Sequence, residues 1–195
     1  MVAHPGGREI NDGIIEGCRK GDRDAFRVIY DIHKDKVYSI ALYFFHGNTA
    51  TASDVTQQVF LKLITDFEQF RGDSAFSTWL YRLVVNTCID TARRTRHHPV
   101  QIDKTVLETI AADGSQEADL AQRQTASSIR NAISSLPQTF RLAILLRYFE
   151  DLSYQEMANV LNCSMGTVSS RLSRGHRLLA GKLAPIREWL EKGQK

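Results

Sequence analysis

Apolar residues recur along this chain at steps of three and four, and strand-like alternation is absent. Phe26, Ile29, Tyr30, Val37, Ile40, Ala41 and Phe44 mark one face of a long helix, with Asp22 placed to cap its start. A shorter helix precedes it, from Glu9 to Lys20, and stops before Gly21. Gly47-Asn48 breaks the long helix, and a third is expected near Thr51 to Phe67. After the loop "EQFRGDS", Phe76, Leu80, Leu83, Val84 and Thr87 define a fourth helix reaching about Arg96. The pattern predicts one helical domain over residues 9–97.

The character then changes. Residues 98–120 hold Pro99, Gly114 and the acids Asp103, Glu108, Asp113, Glu117 and Asp119 against the single base Lys104. This composition reads as a flexible acidic linker with at most a little helix. A second domain is expected over residues 121–186. Its first helix runs to Ser135, and Pro137 suits the first turn of the next, "QTFRLAILLRYFE". In "DLSYQEMANVLN", Ser153 precedes Glu156 by three residues, the spacing of a capping box. Asn162-Cys163 forms a short turn, and Ser164 can cap a last long helix, "MGTVSSRLSRGHRLLAGKL". The expected fold is all-α, two small helical domains joined by the linker.

Composition narrows this only a little. Hydrophobic residues at 43% and charged residues at 24% fit a folded protein of 195 residues. A net charge of +3 is too small to imply nucleic acid unless the charge is concentrated. No apolar run approaches a membrane span, and the first residues lack an apolar signal core, so a cytoplasmic location is expected. Cys18, Cys88 and Cys163 are far apart and form no CxxC pair, so free thiols are expected rather than zinc ligands or disulfides. No P-loop or tight His/Cys/Asp cluster suggests a cofactor, a metal or a catalytic residue. His33 falls at an apolar spacing and reads as structural, while His97 and His98 sit at a basic helix end.

Charge is concentrated in the last helix. Between Cys163 and Lys182 there are four lysines and arginines and no acid. At 100° per residue Val168, Leu172, Gly175, Leu179 and Leu183 share one stripe. Ser169, Ser170, Ser173, His176 and Arg177 face away, with Arg174 on the flank. A capped short helix, a tight turn and a basic helix make a helix-turn-helix, in which small serines allow close approach and arginines pair with phosphate or guanine. A solvated basic helix is the competing reading. In the third helix Asp54, Gln57, Gln58, Leu61 and Thr65 oppose the core side, which suits either docking on another protein or an ordinary exposed face. Around "FRGDSAFSTWLYRLVVNTCIDTARR" aromatic residues flank a polar loop, and arginines follow.

That segment, together with "GDRDAFRVIYDIHKDKVYSIA", "ASDVTQQVFLKLITDFEQ" and "SLPQTFRLAILLRYFEDLSYQEMANVLNCSMGTVSSRLSRGHRLL", resembles the two domains of bacterial extracytoplasmic function (ECF) sigma factors of the sigma-70 superfamily. The blocks occur in the family's order and cover most of the chain. The resemblance implies a region 2 bundle and a region 4 helix-turn-helix. The first binds core polymerase, then recognises and melts the −10 element; the second recognises the −35 element. It implies that Asp54, Gln57, Gln58 and Leu61 bind the clamp helices of the largest polymerase subunit, with the flap region as a further contact. Ser53 and Gln58 stand where the family often has acid, so hydrogen bonding replaces some charge there.

The resemblance further implies that Phe70, Arg71, Gly72, Asp73, Ser74 and Phe76 capture an extruded base of the non-template strand, with Trp79 beside them. A melted strand needs a polar pocket for the base edge and apolar walls that replace stacking. Phe76 and Trp79 also fit a core role, and Asp73 also fits a helix cap. Asn86 matches a position that contacts promoter bases, and Arg93, Arg94 and Arg96 match phosphate contacts. Thr167, Ser169, Ser170, Arg171, Ser173, Arg174 and Arg177 match the −35 surface, where Arg171 suits either phosphate or packing. Ser169 and Ser173 depart from the larger residues common at those positions, so the −35 sequence cannot be transferred. An anti-sigma factor is implied as a further partner. The rival readings are a stand-alone helix-turn-helix regulator, which leaves the N-terminal surfaces idle, and a nucleic-acid enzyme, which lacks catalytic groups.

Overall fold

The computed structural model describes residues 10–95 and 116–192, which form eight α-helices. Helices α1 (Asp12–Arg19), α2 (Arg23–Phe44), α3 (Thr49–Thr65) and α4 (Phe76–Thr95) make the N-terminal half. Helices α5 (Gln116–Ser134), α6 (Gln138–Tyr148), α7 (Tyr154–Val160) and α8 (Met165–Lys192) make the C-terminal half. Most of the expected linker, with Arg96, His97 and His98, lies outside the described residues.

Local chemistry fixes the helix ends. Asp22 caps α2 by accepting from the Asp24 amide at 2.9 Å. Asn48 caps α3 by accepting from Thr51 at 2.9 Å, so α3 begins two residues before the periodicity implied. At its other end α3 gives way to a 3-10 turn, Phe67–Gln69, which swings Phe67 into the core. Pro137 precedes α6 instead of opening it: its extended ψ of 140° leaves its carbonyl to accept from Phe140 and Arg141 at 3.0 Å. Helix α5 starts inside the segment read as linker, because Gln116–Leu120 continue its helical run. The Ser153–Glu156 capping box forms, with Ser153 N to Glu156 Oε2 at 2.8 Å.

The expected apolar faces pack as cores. Ile29, Val37 and Ile40 of α2 meet Val55, Val59 and Leu63 of α3 and Leu80, Val84 and Cys88 of α4. In the C-terminal half Leu142, Leu145 and Leu146 of α6 meet Met157 and Val160 of α7 and Val168 and Leu172 of α8. Gly175 lets α8 lie close on α6, since a Cβ there would stand 3.2 Å from Ile144 Cγ1. The three cysteines are free thiols, and burial pushes Cys18 up to about 11 and Cys88 up to about 12. The periodicity did not foretell one feature: the halves pack on each other, α4 against α7 and α2 against α5 and α6.

Candidate polymerase and nucleic-acid interfaces

Three surfaces follow from the helix faces. On α3, Ala52, Val55, Val59 and Leu63 turn inward and leave Asp54, Gln57, Gln58 and Leu61 exposed. Leu61 is 62% exposed and Ile64 52%, so this amide-rich stripe carries apolar surface that water leaves unsatisfied. Beside it Phe26, Tyr30, Phe60 and Ile64 line an apolar groove, with Arg19, Arg23 and Arg27 among its other residues.

The loop after the 3-10 turn is built over aromatic rings. Phe70 and Phe76 are buried, and their centroids lie 5.6 Å apart at 88°. Trp79 is half-buried against both, 5.5 Å from Phe70 and 5.9 Å from Phe76. The two phenylalanines therefore form the floor of the loop, and Arg71, Gly72 and Asp73 form its exposed edge. Gly72 adopts φ +84°, a conformation that side chains with a Cβ disfavour. Ser74 is partly exposed. Among the described residues Asp73 has no hydrogen bond to the first turn of α4. His33 is buried 6.0 Å from the Phe76 ring, and its Nδ1 has no partner among the described residues. Burial, and to a smaller degree Lys36, hold its pKa down at about 4, so the ring is neutral.

A cleft of about 610 Å³ separates this loop from α1, with Asp12, Glu16 and Arg19 on one wall and Gly72 and Ser74 on the other. Arg19 Nη2 donates to the Phe70 carbonyl at 3.4 Å and its Nη1 lies 3.8 Å from Glu16. Asn86 is exposed farther along α4, and Arg93 and Arg94 are exposed near its end. Arg93 Nη1 lies 3.8 Å from Asp90.

On α8, Val168, Leu172 and Gly175 are buried, and Leu179 and Leu183 half-buried. Ser169, Ser170, Ser173, Arg174, His176 and Arg177 are exposed. Ser164 Oγ accepts from the Thr167 amide at 3.2 Å and meets Thr167 Oγ1 at 3.0 Å, pinning the start of the helix. Ser170 Oγ is turned back onto the Thr167 carbonyl at 2.9 Å. Arg171 is half-buried with Nη1 3.7 Å from Cys163 Sγ, which favours its packing role. His176 Nε2 meets the Tyr148 hydroxyl at 2.9 Å.

Sequence reading did not single out Arg19, Arg82, Arg141 or Glu150. Arg141 is 5% exposed, and donates to the Phe44 carbonyl and, at 2.7 Å, to the Leu136 carbonyl. Burial lowers its pKa to about 10, a value at which it is still charged at neutral pH. A lone arginine within the apolar run "FRLAILL" was the available signal. The Glu150 side chain is 2% exposed. It accepts from the Tyr81 hydroxyl and lies 3.6 Å from Lys36 Nζ. Burial pushes the Glu150 carboxyl and the Tyr81 phenol upward, and Lys36 opposes this at Glu150.

Comparison with known proteins adds the family. The Sigma-70 region 2 model matches residues 29–98, and the Sigma-70, region 4 model matches residues 126–179. The chain is 35% identical over 181 residues to the ECF RNA polymerase sigma factor SigW of Bacillus subtilis, covering 88% of this chain and 96% of that protein. It is 32% identical over 181 residues to the ECF RNA polymerase sigma-E factor of Escherichia coli K12, covering 89% and 94%. Similar solved folds include CnrH in complex with the cytosolic domain of CnrY, with TM-score 0.66 and 21% identity over 91% of this chain and 99% of that one. Another is the sigma factor RpoE in complex with the anti-sigma factor NepR from Bartonella quintana, with TM-score 0.64 and 22% identity over 82% and 96%.

Proposed function

The chain belongs to the ECF sigma factors of RNA polymerase, and from that membership we propose how its surfaces share the work of initiation. As a sigma factor it is not an enzyme; it binds core polymerase and directs it to promoter DNA. In our reading residues 9–97 act as region 2, residues 98–120 as the linker and residues 121–186 as region 4.

The stripe Asp54, Gln57, Gln58 and Leu61 docks on the clamp helices, with Leu61 as the apolar anchor and the amides supplying hydrogen bonds. The edge Arg71, Gly72, Asp73 and Ser74 reads an extruded −10 base. Phe70 and Phe76 support that loop from beneath, and Trp79 lends its exposed part as a stacking wall. Asn86 reads a neighbouring base, and Arg93 and Arg94 hold phosphates. On α8, Ser169, Ser173, Arg174 and Arg177 meet the −35 duplex, Thr167 and Ser170 shape the helix start, and Arg171 braces it. The protein works in the cytoplasm, where polymerase is; among the described residues no helix is long and apolar enough to cross a membrane. The two solved folds include one bound to an anti-sigma factor, which supports such a partner here.

The observation that carries this reading is the placement of the matched polar positions: those of α3, of the loop and α4, and of α8 stand largely exposed, with their apolar neighbours buried beneath. Transcription by core polymerase plus this chain on a promoter library is the test. Transcripts sharing −35 and −10 motifs are expected, and a complete absence of sigma-dependent starts would refute the reading. Leu61→Ala should weaken core binding about tenfold, as expected for loss of an apolar anchor worth ~1.4 kcal/mol.

A further inference from the structure

Helix α1 lies before the segment that the Sigma-70 region 2 model matches, residues 29–98. It nevertheless forms one wall of the 610 Å³ cleft whose other wall is the polar loop. That wall is firmly held. Cys18 is buried in the core, and Ile14 and Ile15 pack against it. Asn11 caps the helix by accepting from the Ile14 amide at 3.0 Å. Gly17 lets α1 lie close on α2, since a Cβ there would stand 2.9 Å from the Ala25 Cβ. Arg19 ties the wall to the loop through the Phe70 carbonyl. Two walls of defined spacing are what a pocket for a planar base edge requires.

The charges on α1 suit a base and repel a backbone. Asp12 and Glu16 stand one turn apart, and Arg19 is the basic residue of the cleft's lining. A phosphate entering there would meet two carboxylates. A neutral base is not repelled, and its edge needs both acceptors and donors. The Glu16 carboxylate lies 3.8 Å from Arg19 Nη1 and 3.7 Å from Lys20 Nζ, beyond hydrogen-bond reach, so it keeps its acceptor capacity. Arg19 makes one long bond, 3.4 Å, to the loop, and a guanidinium has further N–H groups to donate. A carboxylate accepts from an amine, and a guanidinium donates to a ring nitrogen or carbonyl. Cytosine, adenine and guanine each present an exocyclic amine together with an acceptor. Thymine has no amine; its N–H lies between two carbonyl oxygens, whose lone pairs repel a carboxylate.

We infer that α1 completes the base pocket: Glu16 and Arg19 read the edge of the extruded base and favour one that bears an exocyclic amine over thymine. The inference rests on the reading of the loop as the −10 base pocket. Arg19 has a second part in it, because its bond to the Phe70 carbonyl holds the loop to α1. Ser74 faces the pair from the opposite wall.

The test measures base preference by the assembled holoenzyme. The full chain bound to core polymerase is titrated with promoters pre-melted at the −10 element. These carry cytosine or uracil at each non-template position in turn. Uracil has thymine's edge without its methyl group, so the two bases differ only where the pocket reads. At one position the wild-type holoenzyme should bind cytosine about tenfold more tightly than uracil. Glu16→Gln, whose amide both donates and accepts, should bring that ratio below about threefold. Arg19→Ala should lower it as well, and Arg19→Lys should restore it in part. Each readout is a ratio between two templates, so a shared loss of folding or core binding cancels. A ratio that Ser74→Ala moves and neither Glu16→Gln nor Arg19→Ala moves would overturn the inference and keep the loop's role. Ratios that none of the three moves would overturn the loop's role itself. A wild-type ratio near one at every position would overturn the selection of an amine.

Discussion

The two halves position their surfaces by different means. In the N-terminal half a polar loop rests on buried rings, Phe67, Phe70 and Phe76, with Trp79 at their edge and a neutral His33 behind them. In the C-terminal half helix α8 is aimed by hydrogen-bonded turns: the Ser153–Glu156 box, Asn162 at φ +46° and the Ser164 cap. Under the proposed function the difference follows from the targets, a melted strand for the loop and a duplex groove for α8. A melted strand must be offered replacement stacking and a cleft, which needs an aromatic floor. A duplex groove needs a rigid projecting helix with small and basic side chains, which needs a well-defined entry angle.

The contrast can be broken by substitutions that act on one half only. The largest effect is expected from Asn86→Ala. It should reduce open-complex formation on duplex promoters about tenfold to a hundredfold, from the ~1–3 kcal/mol of a base contact. Core binding should stay unchanged and a pre-melted template should rescue it. Equal loss on duplex and pre-melted templates, read by permanganate footprinting, would remove the base-reading role.

Acid should strike the N-terminal half next. His33 is held near pKa 4 when folded against an ordinary value of 6.5, so the unfolded state takes up a proton that the folded state refuses. Stability is then full above pH about 6.5 and falls as the pH drops toward about 4. The loss should approach ~3 kcal/mol in urea titrations, and His33→Leu should flatten that slope. An unchanged slope would show that His33 is protonated in the folded protein or that other groups dominate.

Ser153→Ala should lower the stability of the C-terminal half by about 1 kcal/mol through loss of the cap. The probe is hydrogen exchange of α7 amides. Loss of protection confined to α2–α3 would contradict the role given to this turn. The smallest effect is expected at Arg174→Ala. It should weaken duplex binding a few-fold and reduce the slope of log affinity against log salt by about 1. A slope equal to wild type would place Arg174 off the backbone. These two act through a cap and a phosphate, and neither should alter melting once the complex has formed.

Helix faces, caps and the basic character of α8 were legible in the chain because each depends on residues three or four positions apart. Val168, Leu172 and Gly175 at helical spacing dictate which side of α8 is buried, and that leaves Ser173 and Arg177 outward. The boundaries that differed were those where a local signal competed with another. Asn48 outranked Thr51 as the start of α3, and the 3-10 turn redirected Phe67. The loop residues were identifiable as a group, but their division into the buried floor of Phe70 and Phe76 and the exposed edge of Arg71 to Asp73 was not. That division depends on rings contributed by separate helices.

By itself, then, the sequence determined eight amphipathic segments, several of their caps and the outward faces of α3 and α8, all consequences of short-range periodicity. Only the tertiary structure decided that Arg19 would reach the Phe70 carbonyl, that Glu150 would lie enclosed by Tyr81 and Lys36, and that Arg141 would end on Phe44. Those partners are 51 to 114 positions apart. No helical repeat encodes such a pairing; it exists because packing brings a buried charge to the groups that can satisfy it.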